Sequence, residues 1–292
     1  MKKWIGFIVI AMVVLSCEKD INFNLIEPGK TLVVEGSIEN EKPPRIVLTN
    51  SISYYEPLNL NAISNLFVRD AEVVLTDGQT THRLKEYAEP IFPGVNTYYY
   101  SIDSANIGTA IIGQFDKNYQ LTIRVNGNTY SAETRIPALT WYPDSLYTKS
   151  IPFTPDTNAR NLFARVTEPR GLGNYLRYFT QRNSERLFPG RNSVFSDELV
   201  DGTTYTIKID PGYDPNNPVK FEENYFLKGD TVVLKICNID KNSYQFWNTW
   251  EFALQSLGNP FSQPNKVIGN VSNGALGAFC GYAAWYDTIK IK

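Results

Sequence analysis

Histidine is almost missing from this chain: among 292 residues there is one, His82. Zinc sites built on several histidines and iron sites built on two therefore lack their ligands. A His-dependent triad could pass only through His82. That residue stands in Thr80-Thr81-His82-Arg83-Leu84, a strand pattern after the Asp77-Gly78 turn, so a surface histidine on an edge strand is expected. An excess of basic charge is missing too. Lys and Arg number 28 against 30 Asp and Glu, and a pI near 5.6 gives no electrostatic footprint for nucleic acid. No P-loop and no nucleophile elbow occurs. The adjacent acids Asp197-Glu198 and Glu222-Glu223 would point to opposite faces of a strand, which suits solvated charge better than catalysis. Asp210, Asp214, Asn216 and Asn217 lack the glycine of a calcium loop, and Pro218 stands where a backbone amide would be needed. These absences lead to an expectation of no enzyme, no cofactor and no metal.

Long apolar runs are also missing. The longest, Trp4 to Leu15, has about twelve residues, against the roughly 20 that a membrane-spanning helix needs. It follows Lys2 and Lys3 and ends in Val14-Leu15-Ser16-Cys17, so residues 1–16 read as a secretory signal. A cysteine after a small residue at the end of such a run resembles a bacterial lipobox. The resemblance implies cleavage after Ser16 and acylation of Cys17. Each buried CH₂ of an acyl chain stabilises attachment by about 0.8 kcal/mol, and stable anchoring takes more than one chain. An ordinary signal peptide with an incidental cysteine is the alternative. Cleavage removes two positive charges, so the net charge of −2 becomes −4 over the remaining 276 residues (292 less 16). Glu18-Lys19-Asp20 resembles the lipoprotein export signal of Bacteroidota, which directs lipoproteins to the outer face of the outer membrane. A solvated charged linker is the plainer reading. With Cys17 acylated, Cys237 and Cys280 are an even pair in an oxidising compartment. Either a disulfide across the intervening helix or two buried thiols is expected.

What the chain has in abundance is strand pattern and aromatic residues. Residues 17–30 read as a lipidated tether. Leu32 to Ile38, Arg45 to Thr49, Ala71 to Thr76, Thr81 to Tyr87, Tyr98 to Ile102, Tyr119 to Val125 and Thr129 to Ile136 read as strands. Tyr119, Leu121, Ile123 and Val125 alternate strictly with polar residues, as a half-buried strand requires. Asp77-Gly78 and Asn126-Gly127 supply the turns. Seven short strands without a helix signal predict an immunoglobulin-like or transthyretin-like sandwich over residues 31–138. Residues 139–292 read as a second β-rich sandwich domain, with strands at 162–167, 175–180, 231–237 and 287–291. One helix stands out at about 240–257, with Asp240 as its cap. Trp250, Leu254 and Leu257 extend its apolar stripe. It closes one end of the sandwich or docks a partner. The glycine-rich stretch Gly274 to Gly281 matches no dinucleotide fingerprint and predicts close backbone packing. Tyr54, Tyr55 and Tyr98 to Tyr100 are candidate exposed aromatics.

Several motifs carry a family resemblance. They are Leu32-Val33-Val34-Glu35-Gly36, Gly229-Asp230-Thr231-Val232, Ile239-Asp240 before the helix, Gly258-Asn259-Pro260-Phe261, Asn270 to Gly277, and Phe279-Cys280-Gly281-Tyr282. In order and spacing they resemble a Bacteroidota lipoprotein family, domain of unknown function 4249, over almost the whole mature chain. The resemblance implies a non-enzymatic lipoprotein anchored through Cys17, facing the cell exterior. It also implies an accessory role beside a TonB-dependent receptor of the outer membrane. An independent carbohydrate- or matrix-binding adhesin is the alternative.

Overall fold

In the Asn126-Gly127 pair, both residues take positive φ (50° and 76°), and they turn β6 (Lys117–Val125) tightly into β7 (Asn128–Ile136). The computed structural model describes residues 29–52, 59, 62–63, 65–92, 94–214, 224–259 and 265–292. The leader, Cys17, Glu18, Lys19 and Asp20 lie outside the described residues, as do Tyr54, Tyr55, Asn216 to Pro218, Glu222 and Glu223.

Preceding that hairpin are β1 (Leu32–Glu39), β2 (Arg45–Asn50), β3 (Glu72–Thr76), β4 (Thr81–Phe92) and β5 (Val95–Ser101). After it come β8 (Pro143–Ser150), β9 (Ala159–Thr167), β10 (Tyr175–Arg182), β11 (Phe188–Ser196), β12 (Thr204–Ile209) and β13 (Phe226–Leu227). The chain closes with β14 (Thr231–Ile239), helix α1 (Lys241–Gln255) and β15 (Leu276–Lys290). The fold is mostly β. Eleven strands form one open sheet in the order β11-β10-β14-β15-β1-β2-β5-β4-β3-β6-β7, and β8, β9, β12 and β13 form a second.

β15 is longer than the closing strand expected at 287–291, because it also takes in most of the glycine-rich stretch. Its first half pairs in parallel with β1, Val34 opposite Gly277 and Gly36 opposite Phe279. Its second half pairs antiparallel with β14. The glycines permit this close approach. A Cβ on Gly277 would sit 2.0 Å from the Val34 carbonyl oxygen, and one on Gly36 would sit 2.9 Å from the Phe279 ring. Two motifs about 240 residues apart in sequence are thus one structural joint.

Around this joint the seven strands from β1 to β7 curl, so that β7 returns over β15. The Gly281 amide donates to Thr134 Oγ1 (2.7 Å). Asn270 accepts from the Phe279 amide (2.9 Å) and donates to the carbonyls of Phe279 (2.8 Å) and Glu133 (3.0 Å). The core inside holds Val34, Leu48, Leu75, Leu121, Ile123 and Phe279. A second core holds Trp141, Leu162, Phe226, Leu234 and Ile291. Trp141 falls in the proline-bounded connection after β7. It is fully buried, and Asn238 holds its amide (2.9 Å) and its carbonyl (2.7 Å). Ile291, just past β15, reaches that second core, so the one strand serves both.

One expectation is corrected here, and one open alternative is decided. His82 is neither at an edge nor on the surface. β4 runs between β3 and β5, and His82, opposite Leu75, is 1% exposed. Its Nε2 accepts from the Asp103 amide (2.9 Å), so Nδ1 carries the proton and donates to Thr109 Oγ1 (2.9 Å). Burial pushes its pKa down, against the pull of Asp103. Cys237 and Cys280 are free, buried thiols. Cys237 lies opposite Ala284, four residues along β15 from Cys280. At about 3.4 Å per residue the offset is ~14 Å, beyond the ~7 Å that a disulfide spans.

Candidate functional site

The helix that leaves β14 sets up the site. Asp240 caps it by accepting from the Ser243 amide (2.7 Å). The same carboxylate accepts from Thr134 Oγ1 (2.8 Å) and the Arg135 amide (2.7 Å), which ties α1 to β7. From there α1 runs across β15, β10 and β11. The faces of β15 explain what lies beneath. Phe279 and Ala283 point into the first core, while Ala278, Cys280, Tyr282 and Ala284 point to the helix. A strand covered on both faces loses the alternating pattern of burial, and residues 278–284 are all buried.

The helix does not lie on the stripe expected for it. Ser243, Phe246 and Glu251 are its buried residues. Trp250 (38%), Leu254 (39%) and Leu257 (75%) remain exposed. Along its flank opens a cleft of about 530 Å³, between Phe246, Trp247 and Trp250 on one side and Val33, Val47 and Ala278 on the other. A second groove of about 540 Å³, with Phe188, Tyr213 and Leu254 in its walls, shares Pro189, Trp250 and the adjoining helix with the first. Both are of ordinary size for ligand sites.

A buried guanidinium lies in the cleft wall. Arg177 is 3% exposed and stacks on the Trp247 ring at 3.4 Å, with Phe179 at 4.8 Å. Its Nε donates to Ser193 Oγ (3.1 Å) and Nη1 to the Tyr282 hydroxyl (3.3 Å), which also accepts from Trp247 Nε1 (2.9 Å). Ser193 in turn donates its hydroxyl, and its amide at 2.9 Å, to the Glu251 carboxylate. Glu251 therefore balances Arg177 only through a hydroxyl. Burial pushes the Glu251 carboxyl above the usual range, against the bonds from Ser193 and the charge of Arg177.

A half-buried acid, Glu39, behaves the opposite way. Burial pushes it up, but Lys235 (2.5 Å), Lys42 (2.7 Å) and Tyr286 (2.6 Å) more than offset this and hold it below the usual range. The two thiols stay protonated here, because burial raises Cys237 to about 12 and Cys280 to about 11.

Of the aromatics expected to lie exposed, Tyr100 is buried, and its hydroxyl donates to the Val68 carbonyl (3.2 Å) or to Glu86 (2.9 Å). Tyr98 and Tyr99 are half-buried under Arg69 (4.0 Å) and Arg45 (3.8 Å). Sequence reasoning missed Arg177, Ser193 and Glu251 as a set. The available signals were a lone Arg between Leu176 and Tyr178, and a lone acid among Trp247, Trp250 and Phe252. Among the described residues no helix is long and apolar enough to cross a membrane.

The model of one family, described as Domain of unknown function (DUF4249), matches residues 18–285. No curated protein matches the chain. The chain belongs to the DUF4249 family.

Proposed function

We propose that this member of the family works by binding. It is an outer-membrane lipoprotein, anchored through Cys17 and facing the cell exterior, that serves as accessory to a TonB-dependent uptake receptor. The cleft beneath α1 is its contact with cargo. The observation that carries the binding reading is the cleft itself, with aromatic walls and one buried cation. The acid in its lining is Glu35, and three other acids of the fold have partners of their own. Glu251 is occupied by Ser193, Glu39 by three partners, and Asp240 by the helix cap and β7. A general acid or base needs a proton-exchanging atom within reach of substrate; these three carboxylates are engaged within the fold, which leaves Glu35 as the acid that faces the cleft. The anchor rests on the Val14-to-Cys17 pattern, and the exterior location on Glu18-Lys19-Asp20.

The test is isolation of the tagged chain from native outer membranes after mild crosslinking. A large β-barrel receptor should be recovered with it in stoichiometric amount. Cys17→Ser should release the protein from membranes and abolish that recovery. Recovery of the anchored chain with no barrel partner would overturn the receptor role. Membrane attachment of the Cys17→Ser variant would overturn the anchor.

A further inference from the structure

Arginine is almost never fully buried without a partner of opposite charge. Arg177 is buried, yet among the described residues no carboxylate pairs with it directly. Its bonds go to two hydroxyls, from Nε and Nη1, and its ring partner is Trp247. Among the described residues Nη2 has no partner of its own, and the residue lines the cleft. The other charged groups in the lining are Arg45, held by Glu89 at 3.1 Å, and Glu35. Counting Arg177 and Arg45 against Glu35, the lining is +1 (two less one). The rest is mainly apolar, with flat rings from Trp247, Trp250, Phe179 and Tyr282. A guanidinium fork matches a carboxylate, sulfonate or phosphate oxygen pair, and aromatic walls suit a flat apolar body.

We propose that the cleft between α1 and the β1–β15 face binds a small amphiphilic anion. Its acidic group meets the free edge of Arg177, and its flat apolar body lies between Trp247 or Trp250 and Val33. Glu251 stays with Ser193 and holds Arg177 in place from behind. Tyr282 fixes both Arg177 and Trp247, so the cation and the ring wall are set before the ligand arrives. The inference rests on the cleft being the binding site and not on the receptor partnership.

Two fluorescent probes with nearly the same aromatic body separate the contributions. 1-Anilinonaphthalene-8-sulfonate carries an anion, and N-phenyl-1-naphthylamine does not. Titrated into the folded chain and read by energy transfer from tryptophan, the sulfonate should bind more tightly. Arg177→Met should weaken the sulfonate by about tenfold or more, the range of a lost charge-assisted bond, and leave the neutral probe within about twofold. Arg177→Lys keeps the charge without the fork and should fall between, which serves if the Met variant does not fold. Val33→Trp fills the cleft from β1, away from the Arg177 bonds, and should abolish binding of both probes. Equal loss of both probes in Arg177→Met, or no loss of the sulfonate, would overturn the proposal. So would undiminished binding to Val33→Trp, which would place the probes elsewhere. Failure to recover a receptor barrel would leave this result standing, and the reverse also holds.

Discussion

The two faces of β15 differ in kind although one strand makes both. On one face Phe279 joins a core of aliphatic side chains from β1, β2, β3 and β6. Three polar side chains sit at its margins: Asn40 and Thr134 bond β15 amides, and His82 bonds the loop after β5. On the other face, Cys237, Cys280 and Tyr282 share space with Arg177, Ser193 and Glu251. An apolar core needs only volume and shape. Buried ions give up hydration, and well-packed apolar residues often stabilise as well or better. The first face holds the fold, while the second carries polar groups that stability alone would not call for.

The comparison can be broken most severely at Phe279. Phe279→Ala removes a fully buried ring from the first core and should destabilise by about 3–5 kcal/mol, read as a lowered denaturant midpoint. A loss under about 1 kcal/mol would mean that the first core does not depend on β15. Asp240→Ala comes next. It removes the helix cap and both ties to β7, and should cost about 2 kcal/mol, with weakened sulfonate binding because α1 forms one wall of the cleft. Intact stability would show the cap to be dispensable.

The smallest effect is on pH dependence. Glu251 has a raised folded pKa, so it takes up a proton more readily folded than unfolded. Its stabilising contribution is complete below the unfolded value near ~4.3 and is lost as pH rises through the folded one. Glu39, with its lowered folded pKa, contributes above ~4.3 and loses that contribution as pH falls. Glu251→Gln should therefore gain stability relative to the parent as pH rises above about 4, whereas Glu39→Gln should lose it as pH rises towards about 4.3 and run parallel to the parent above that. Parallel stability curves for Glu251→Gln and the parent would refute this sign.

The hairpins were legible because their signals are local. Asn126-Gly127 sets positive φ at two successive residues, and alternation from Tyr119 to Val125 sets the buried face of β6. Asp240 was legible as a cap because capping is settled within one turn. The joint between β1 and β15 was not, since nothing local reports which strand lies beside a glycine. Gly36 and Gly277 signalled close approach without naming a partner. His82 was misplaced for a related reason: a polar residue in a short strand reads as exposed until Asp103 and Thr109 supply its bonds. The helix was legible in extent but not in facing. Trp250 and Leu254 continue the apolar stripe, yet Glu251 turns inward because Ser193 awaits it. The cleft lies further from the sequence still, because Arg177, Ser193 and Glu251 come from three elements.

The pairing of the first described strand with the last has a consequence in time. A ribosome delivers β1 long before β15, and 243 residues separate Gly36 from the Phe279 that covers it. Until β15 arrives, the first core lacks its central ring, and β1 has only β2 beside it. Contacts this distant in sequence slow folding, because a long loop must close before they form. The earliest strand thus waits for the latest, and a chain truncated before residue 276 would present β1 as an open edge, ready to pair with another molecule.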